Sequence, residues 1–255
     1  MAERPLVLCS NDDGVESPHL EALAGLIEEF AEVLVVAPER QRSAASHAIT
    51  LHKPLRLTEV APRRFSLSGT PVDCVYLGIL KLCERRPAVV VSGVNDGLNL
   101  GSDVFYSGTV AAAVEGALRG AAGIACSVSH TAVEVDSAIR FAAAVVRAAL
   151  AEPIPPGTVL NVNMPGNGTD AYQWTRLGRR LYADDVAERQ DPRGRPYYWV
   201  GGGASGHDDV DGSDCVAVAR GLNSITPMHL DLTDHPRVAT PPWSLEGFRV
   251  VVGSP

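Results

Sequence analysis

The chain has no apolar run long enough to cross a bilayer: the longest, Phe141 to Ala151, is broken by Arg147 and reads as a packed helix. Its first residues, Met1-Ala2-Glu3-Arg4-Pro5, lead into only a few apolar positions, too few for a signal-peptide core. The expected location is therefore the cytoplasm, with no membrane partner. Cysteine is sparse: Cys9, Cys74, Cys83, Cys126 and Cys215 are odd in number, widely spaced and mostly set in apolar segments. With no Cys-x-x-Cys and no His pair at metal-ligand spacing, reduced core thiols are expected rather than disulfides or zinc. Any metal must then be held by oxygen. Basic clusters go no further than pairs such as Arg63-Arg64 and Arg179-Arg180, and the net charge is −8. That balance repels duplex nucleic acid, yet leaves room for a small phosphate ester, because a bound cation reverses the local sign.

Three familiar catalytic signatures are also missing. No Gly-x-Gly-x-x-Gly follows the first strand, so a dinucleotide fingerprint is excluded there. An aspartyl-phosphate hydrolase wants Asp-x-Asp-Gly, but the nucleophile's place is taken by Asn11, whose amide cannot attack phosphorus. No Gly-x-Ser-x-Gly elbow is present for a serine hydrolase.

What is present is 255 residues of ordinary globular composition, 45% hydrophobic and 20% charged, enough for a large α/β core. Short β-rich runs alternate with helical stretches. The pattern predicts strands at Leu6–Cys9, Val33–Val36, Phe65–Leu67, Ala88–Ser92, Gly123–Ser127 and Thr158–Asn163. It predicts helices at Leu20–Glu29, Cys74–Leu82, Val110–Arg119 and Asp136–Ala151. Unbroken apolar strands separated by helices point to a Rossmann-like, mostly parallel α/β sheet with helices on both faces. Residues 1–164 are expected to form this core. Residues 165–255 change texture and read as a β-rich C-terminal extension: hairpin strands at Tyr172–Tyr182 and Pro196–Val200, a flexible Gly201–Gly206 loop, a strand at Cys215–Arg220 and an extended oligomerisation arm.

Four polar loops adjoin the predicted strands. The first is Asn11-Asp12-Asp13-Gly14. Two adjacent carboxylates at the carboxyl end of a strand repel unless a cation lies between them, although Asp-Asp-Gly is also ordinary turn chemistry. The second is Ala37-Pro38-Glu39-Arg40-Gln41-Arg42-Ser43-Ala44-Ala45-Ser46-His47, and the third is Gly93-Val94-Asn95-Asp96-Gly97-Leu98-Asn99-Leu100-Gly101. The fourth, Tyr106-Ser107-Gly108-Thr109, opens a helix and serves either as a phosphate cradle or as a plain cap. His47 and His52 have no partner in the sequence and read as structural histidines.

These loops occur in order with Ser-Gly-Thr-Pro-Val-Asp-Cys at 68–74, and together they resemble the SurE family of metal-dependent nucleoside-monophosphate phosphatases. The likeness is dense from about residue 6 to 128 and returns at Ser224–Thr233. It implies a phosphomonoesterase acting on nucleoside 5′-monophosphates, with 3′-monophosphates left open, and one Mg²⁺ or Mn²⁺ per subunit. Carried over by position, it makes Asp12, Asp13, Ser43 and Asn95 the metal ligands, a hard all-oxygen set, with Asp12 and Asp13 catalytic. Asn11, Asn99, Ser107, Gly108 and Thr109 fall where the family contacts phosphate or supports those ligands. His19, where such proteins commonly have glycine, and Asp96 beside Asn95 depart from the pattern. The resemblance also implies a homodimer or homotetramer with exchanged C-terminal arms. A non-catalytic nucleotide or metal sensor is the alternative, and loss of a ligand would mark it; none is lost here.

Overall fold

The computed structural model describes residues 4–182, 186–200 and 205–240. The predicted apolar runs become strands β1 (Leu6–Ser10) and β2 (Glu32–Pro38), then β3 (Leu57–Ala61) and β4 (Arg64–Leu67), followed by β5 (Val89–Asp96), β6 (Ala122–Val128) and β7 (Thr158–Met164). Between them lie α1 (Pro18–Glu28), α2 (Pro71–Leu77), α3 (Gly108–Leu118) and α4 (Val135–Ala151). Strands β4, β2, β1, β5, β6 and β7 run parallel in that spatial order, and β3 adds an antiparallel edge outside β4.

Alternation along the strands explains why both faces need cover. Val7, Cys9, Val33, Val35, Val89 and Val91 point to the side packed by Leu20, Leu23 and Ile27 of α1 and by Ile139, Ala142 and Val146 of α4. Leu6, Leu8, Leu34, Val36 and Val90 point the other way, against Cys74 and Val75 of α2 and Ala112 of α3. Each fully buried Leu or Val contributes about 1.5–3 kcal/mol. Helix α3 lies unusually close to the sheet. A Cβ on Gly116 would stand 2.4 Å from Val90 Cβ, so only glycine fits this crossing. The α/β class expected from the sequence is the one observed.

The C-terminal region follows different lines from those expected. Tyr172–Tyr182 is not one hairpin strand: β8 (Tyr172–Trp174) joins the main sheet, while β9 (Arg180–Tyr182) pairs with β12 (Ser205–His207). The hairpin partner of β11 (Pro196–Val200) is β10 (Val186–Gln190), which lies between the two predicted strands. Cys215–Arg220 is helical, as α5 (Asp214–Ala219), because Ser213 Oγ caps it by accepting from Val216 N at 3.3 Å. The extended arm begins as β13 (Asn223–His229), which pairs antiparallel with β7 and parallel with β8 and completes a nine-stranded sheet. A short α6 (His235–Ala239) follows. Residues 201–204 of the predicted glycine-rich loop and 241–255 of the predicted arm lie outside the described residues. Among the described residues no helix is long and apolar enough to cross a membrane.

Candidate metal and phosphate site

Strand order reverses around β1, with β2 on one side and β5 on the other, so the loops leaving β1 and β5 open on one crevice at the carboxyl edge. The β1 loop braces itself. Asn11, fully buried, donates from Nδ2 to the Gly14 carbonyl at 2.9 Å and accepts from Gly14 N at 3.1 Å. Gly14 takes φ +107°, which favours glycine, and a Cβ there would meet the Arg40 backbone at 3.3 Å. The turn leaves Asp12 buried and Asp13 half-buried.

Helix α3 meets this turn at its first residues. Thr109, itself fully buried, donates from Oγ1 to Asp12 Oδ1 at 2.6 Å. Ser107 caps the helix, its Oγ accepting from Val110 N at 3.1 Å. A Cβ on Gly108 would lie 3.1 Å from Asp12 Cβ and 3.2 Å from Oδ2, so the helix start and the carboxylate share one surface. The expected helix therefore begins two residues earlier than the periodicity indicates, because the Ser107 cap sets its start.

Burial pushes the Asp12 carboxyl up to about 6; the Thr109 hydroxyl opposes that rise and the Asp13 charge adds to it. Asp13 is raised as well, first by burial, with the Asp96 N–H opposing and the Asp96 charge adding, and with His19 and His130 opposing further. Besides that Asp96 N–H, Asp13 receives a long contact from Gln41 Nε2, at 3.5 Å. Among the described residues neither carboxylate is in an ion pair with Lys, Arg or His. Two adjacent, partly desolvated carboxylates without a cationic partner are an electrostatic deficit that a divalent ion would offset.

The remaining predicted ligands stand on the neighbouring loops. Asn95 stands one residue before the end of β5 and donates from Nδ2 to the Gly97 carbonyl at 2.6 Å, which leaves its Oδ1 as the amide's acceptor. Ser43 is exposed on the loop after β2, a loop tied to the first by Arg42 N donating to the Asp12 carbonyl at 2.7 Å. Neither side chain hydrogen-bonds Asp12 or Asp13 among the described residues. Asp96 turns to His130, with Oδ1 3.1 Å from Nδ1. The donor set of two carboxylates, a hydroxyl and an amide oxygen fits a hard divalent cation. No group of three or more His, Cys, Asp or Glu with metal-holding geometry occurs among the described residues, which leaves no rival softer site.

Asn99 is anchored in a different direction. Its N donates to Asn163 Oδ1 at 2.8 Å, its carbonyl accepts from Asn161 and Asn163 Nδ2 at 2.8 and 3.0 Å, and its Nδ2 donates to Ser127 Oγ at 2.8 Å. Sequence reasoning passed over Asn161 and Asn163. Their signal was polar residues at alternate positions in an apolar strand, which places both on one face. Beside Ser107 and His47 opens a groove of about 750 Å³, walled by Val104, Val110, Val114 and Met228.

The family profile described as "Survival protein SurE" matches residues 7–184, which include every one of these loops. The chain belongs to the SurE family. A 5′-nucleotidase SurE from Myxococcus xanthus is 49% identical over 254 residues, covering 97% of each chain. One from Anaeromyxobacter dehalogenans is 52% identical over 249 residues, covering 95% of this chain and 97% of its own. The crystal structure of the SurE protein from Aquifex aeolicus superposes with a TM-score of 0.82 at 36% identity, over 93% of this chain and 98% of that one. The SurE likeness thus extends through β13, beyond the span of the family profile.

Proposed function

We propose that this chain is a metal-dependent 5′-nucleotidase that hydrolyses nucleoside 5′-monophosphates to nucleoside and inorganic phosphate. The observation that carries the reading is Asp12: a buried carboxylate beside Asp13, without an ion pair, bound by Thr109 at the start of α3. The curated relatives from Myxococcus and Anaeromyxobacter carry the name 5′-nucleotidase SurE, which supports the same reaction.

Asp12, Asp13, Ser43 and Asn95 would hold one Mg²⁺ or Mn²⁺ per subunit. When bound, that ion supplies Lewis-acid polarisation of the phosphoryl group and a lowered pKa for water. The chain's own residues do the rest. Ser107, Gly108 and Thr109 present the first N–H groups of α3 and its positive dipole end to the phosphoryl oxygens. Those donors neutralise charge that grows on the equatorial oxygens as the ester bond breaks. Asn11 braces the Asp12–Asp13 turn, and Asn99 holds the β5 loop against the ends of β6 and β7. The groove beside Ser107 receives the nucleoside, its apolar wall suited to a base and sugar. The active form is a homodimer or homotetramer acting in the cytoplasm.

The test is phosphate release from a panel of nucleoside 5′- and 3′-monophosphates in Mg²⁺, in Mn²⁺ and in excess chelator. Metal-dependent release is expected, with the 5′ esters turned over. No release with any metal, from protein shown to be folded, overturns the reading.

A further inference from the structure

The loop that carries Ser43 runs from residue 39 to 56 without regular secondary structure, so its shape depends on anchors. Ser43 itself makes no hydrogen bond among the described residues, and its position is set entirely by the chain around it. That chain is strained. Ala44 and Ser46 take φ +53° and +48°, a left-handed conformation unfavourable to any residue with a Cβ, and one that persists only where neighbours over-determine it.

The neighbours are few. Arg42 N donates to the Asp12 carbonyl at 2.7 Å on one side of Ser43. On the other, Ser46 reaches the Phe105 and Tyr106 carbonyls, at 2.7 Å from Oγ and 3.1 Å from N. His47 Nε2 lies 3.2 Å from Glu115 Oε2, and Thr50 bonds to Asp73 through N at 2.9 Å and Oγ1 at 2.6 Å. Glu115 differs from the other partners of the strained segment. It is a charged group only 3% exposed, and its other oxygen accepts from Arg119 Nε at 2.7 Å. The Arg119 guanidinium in turn lies 4.4 Å from the centre of the Tyr76 ring. A buried carboxylate fixed on one side by Arg119 is a rigid acceptor, and it binds the strained segment one residue past Ser46.

We infer that Glu115 and His47 are a positioning pair that holds the β2–β3 loop in the conformation presenting Ser43 to the cation. The inference rests on the metal-dependent reading above. Helix α3 then aligns two ligand loops at once: Thr109 in its first turn fixes Asp12, and Glu115 two turns later fixes the loop of Ser43.

The test is Mn²⁺ binding to the full chain by isothermal titration calorimetry, read without substrate, for the wild type, Glu115→Gln, His47→Ala and the double variant. Each single change is expected to weaken Mn²⁺ roughly tenfold, the scale of a lost support behind a ligand. The double variant should weaken it no further, because the two residues act as one unit. In a Ser43→Ala background His47→Ala should have no further effect on affinity. Folding is followed by circular dichroism, and His47→Ala, on an exposed loop, preserves the test if Glu115→Gln proves unstable. Folded variants binding Mn²⁺ within twofold of wild type overturn the proposal, as does an undiminished His47 effect in the Ser43→Ala background. A wild type that binds no Mn²⁺ overturns the metal reading itself, and the positioning role with it.

Discussion

Replacing Asp12 with asparagine should end turnover and, in metal-free protein, raise stability. Asp12 is 6% exposed, and burial pushes its carboxyl from 3.8 to about 6 despite the bond from Thr109. The folded state therefore binds this proton more tightly than the unfolded chain. Below about pH 4 the group is protonated in both states and imposes no penalty. As the pH rises through 6 the folded state must ionise a buried acid, and stability is lost. A rise of that size corresponds to about 3 kcal/mol, fully expressed above pH 7. Asparagine keeps the volume and the oxygen that accepts from Thr109 Oγ1, so the variant escapes the penalty with little repacking. Urea titrations in excess chelator should show the variant more stable by about 3 kcal/mol at pH 8 and indistinguishable at pH 4. In thermal unfolding the pH 8 difference amounts to roughly 6–12 °C for a chain of this size. In Mn²⁺ the same variant should release no phosphate above background. A variant no more stable than wild type at pH 8 would refute the burial argument, and near-normal turnover would remove Asp12 from the catalytic machinery.

Gly116→Ala should destabilise the protein by about 1–3 kcal/mol, because its Cβ would stand 2.4 Å from Val90 Cβ in a core with nowhere to yield. Helix propensity alone would favour alanine by about 1 kcal/mol, so a rise in the urea midpoint would refute the close crossing of α3 over β5. Glu115 predicts the opposite pH dependence from Asp12. Burial raises its carboxyl, but the hydrogen bonds from His47 and Arg119 outweigh that and hold it below the ordinary value of 4.5. Its contribution is present above that pH and is lost as the pH falls through the lowered value. Wild type should thus lose stability relative to Glu115→Gln between pH 5.5 and pH 3 in urea titrations, and parallel curves would contradict the assignment.

The parallel core was legible because its central strands, β1, β2, β5 and β6, contain apolar runs that only burial on both sides accommodates. Val89–Val91 illustrates this, its side chains packing alternately on α4 and α3. The Asp12–Asp13 turn was legible for a related reason, since charge in such a loop requires compensation. The misreadings fall where local pattern carries little information. Cys-Val-Ala-Val-Ala at 215–219 has the composition of a strand, and only the Ser213 cap and the long-range bonds of Asp214 to Gly101 and Gly178 N make it a helix. β3 is a mostly exposed edge with a single neighbour, so its sequence has no apolar face to advertise it. β13 was obscured by Pro227, which lacks an N–H for a ladder. Ile225 faces β8, as its carbonyl shows by accepting from Thr175 N, and Pro227, two residues on, points the same way past the last residue that β8 pairs. No bond is missing there, and the proline is tolerated inside a nine-stranded sheet.

The part of the site that sequence could not reveal is the part that depends on α3. Thr109 and Asp12 are 97 residues apart, and Glu115 and His47 are 68 apart, so neither pair has a local signature. What brings them together is packing: Gly116 lets α3 lie against Val90, and Gly108 lets its first turn lie against Asp12. A side chain at Gly116 would lift the helix from β5, and one at Gly108 would press against Asp12. The two small residues thus do for the site what no proposed ligand can do for itself, since among the described residues the Ser43 and Asn95 side chains do not bond to the carboxylates directly. On the proposed reading, geometry at the cation is in this sense a property of the helix–sheet contact, and the four oxygen donors would be only as well placed as that contact is close.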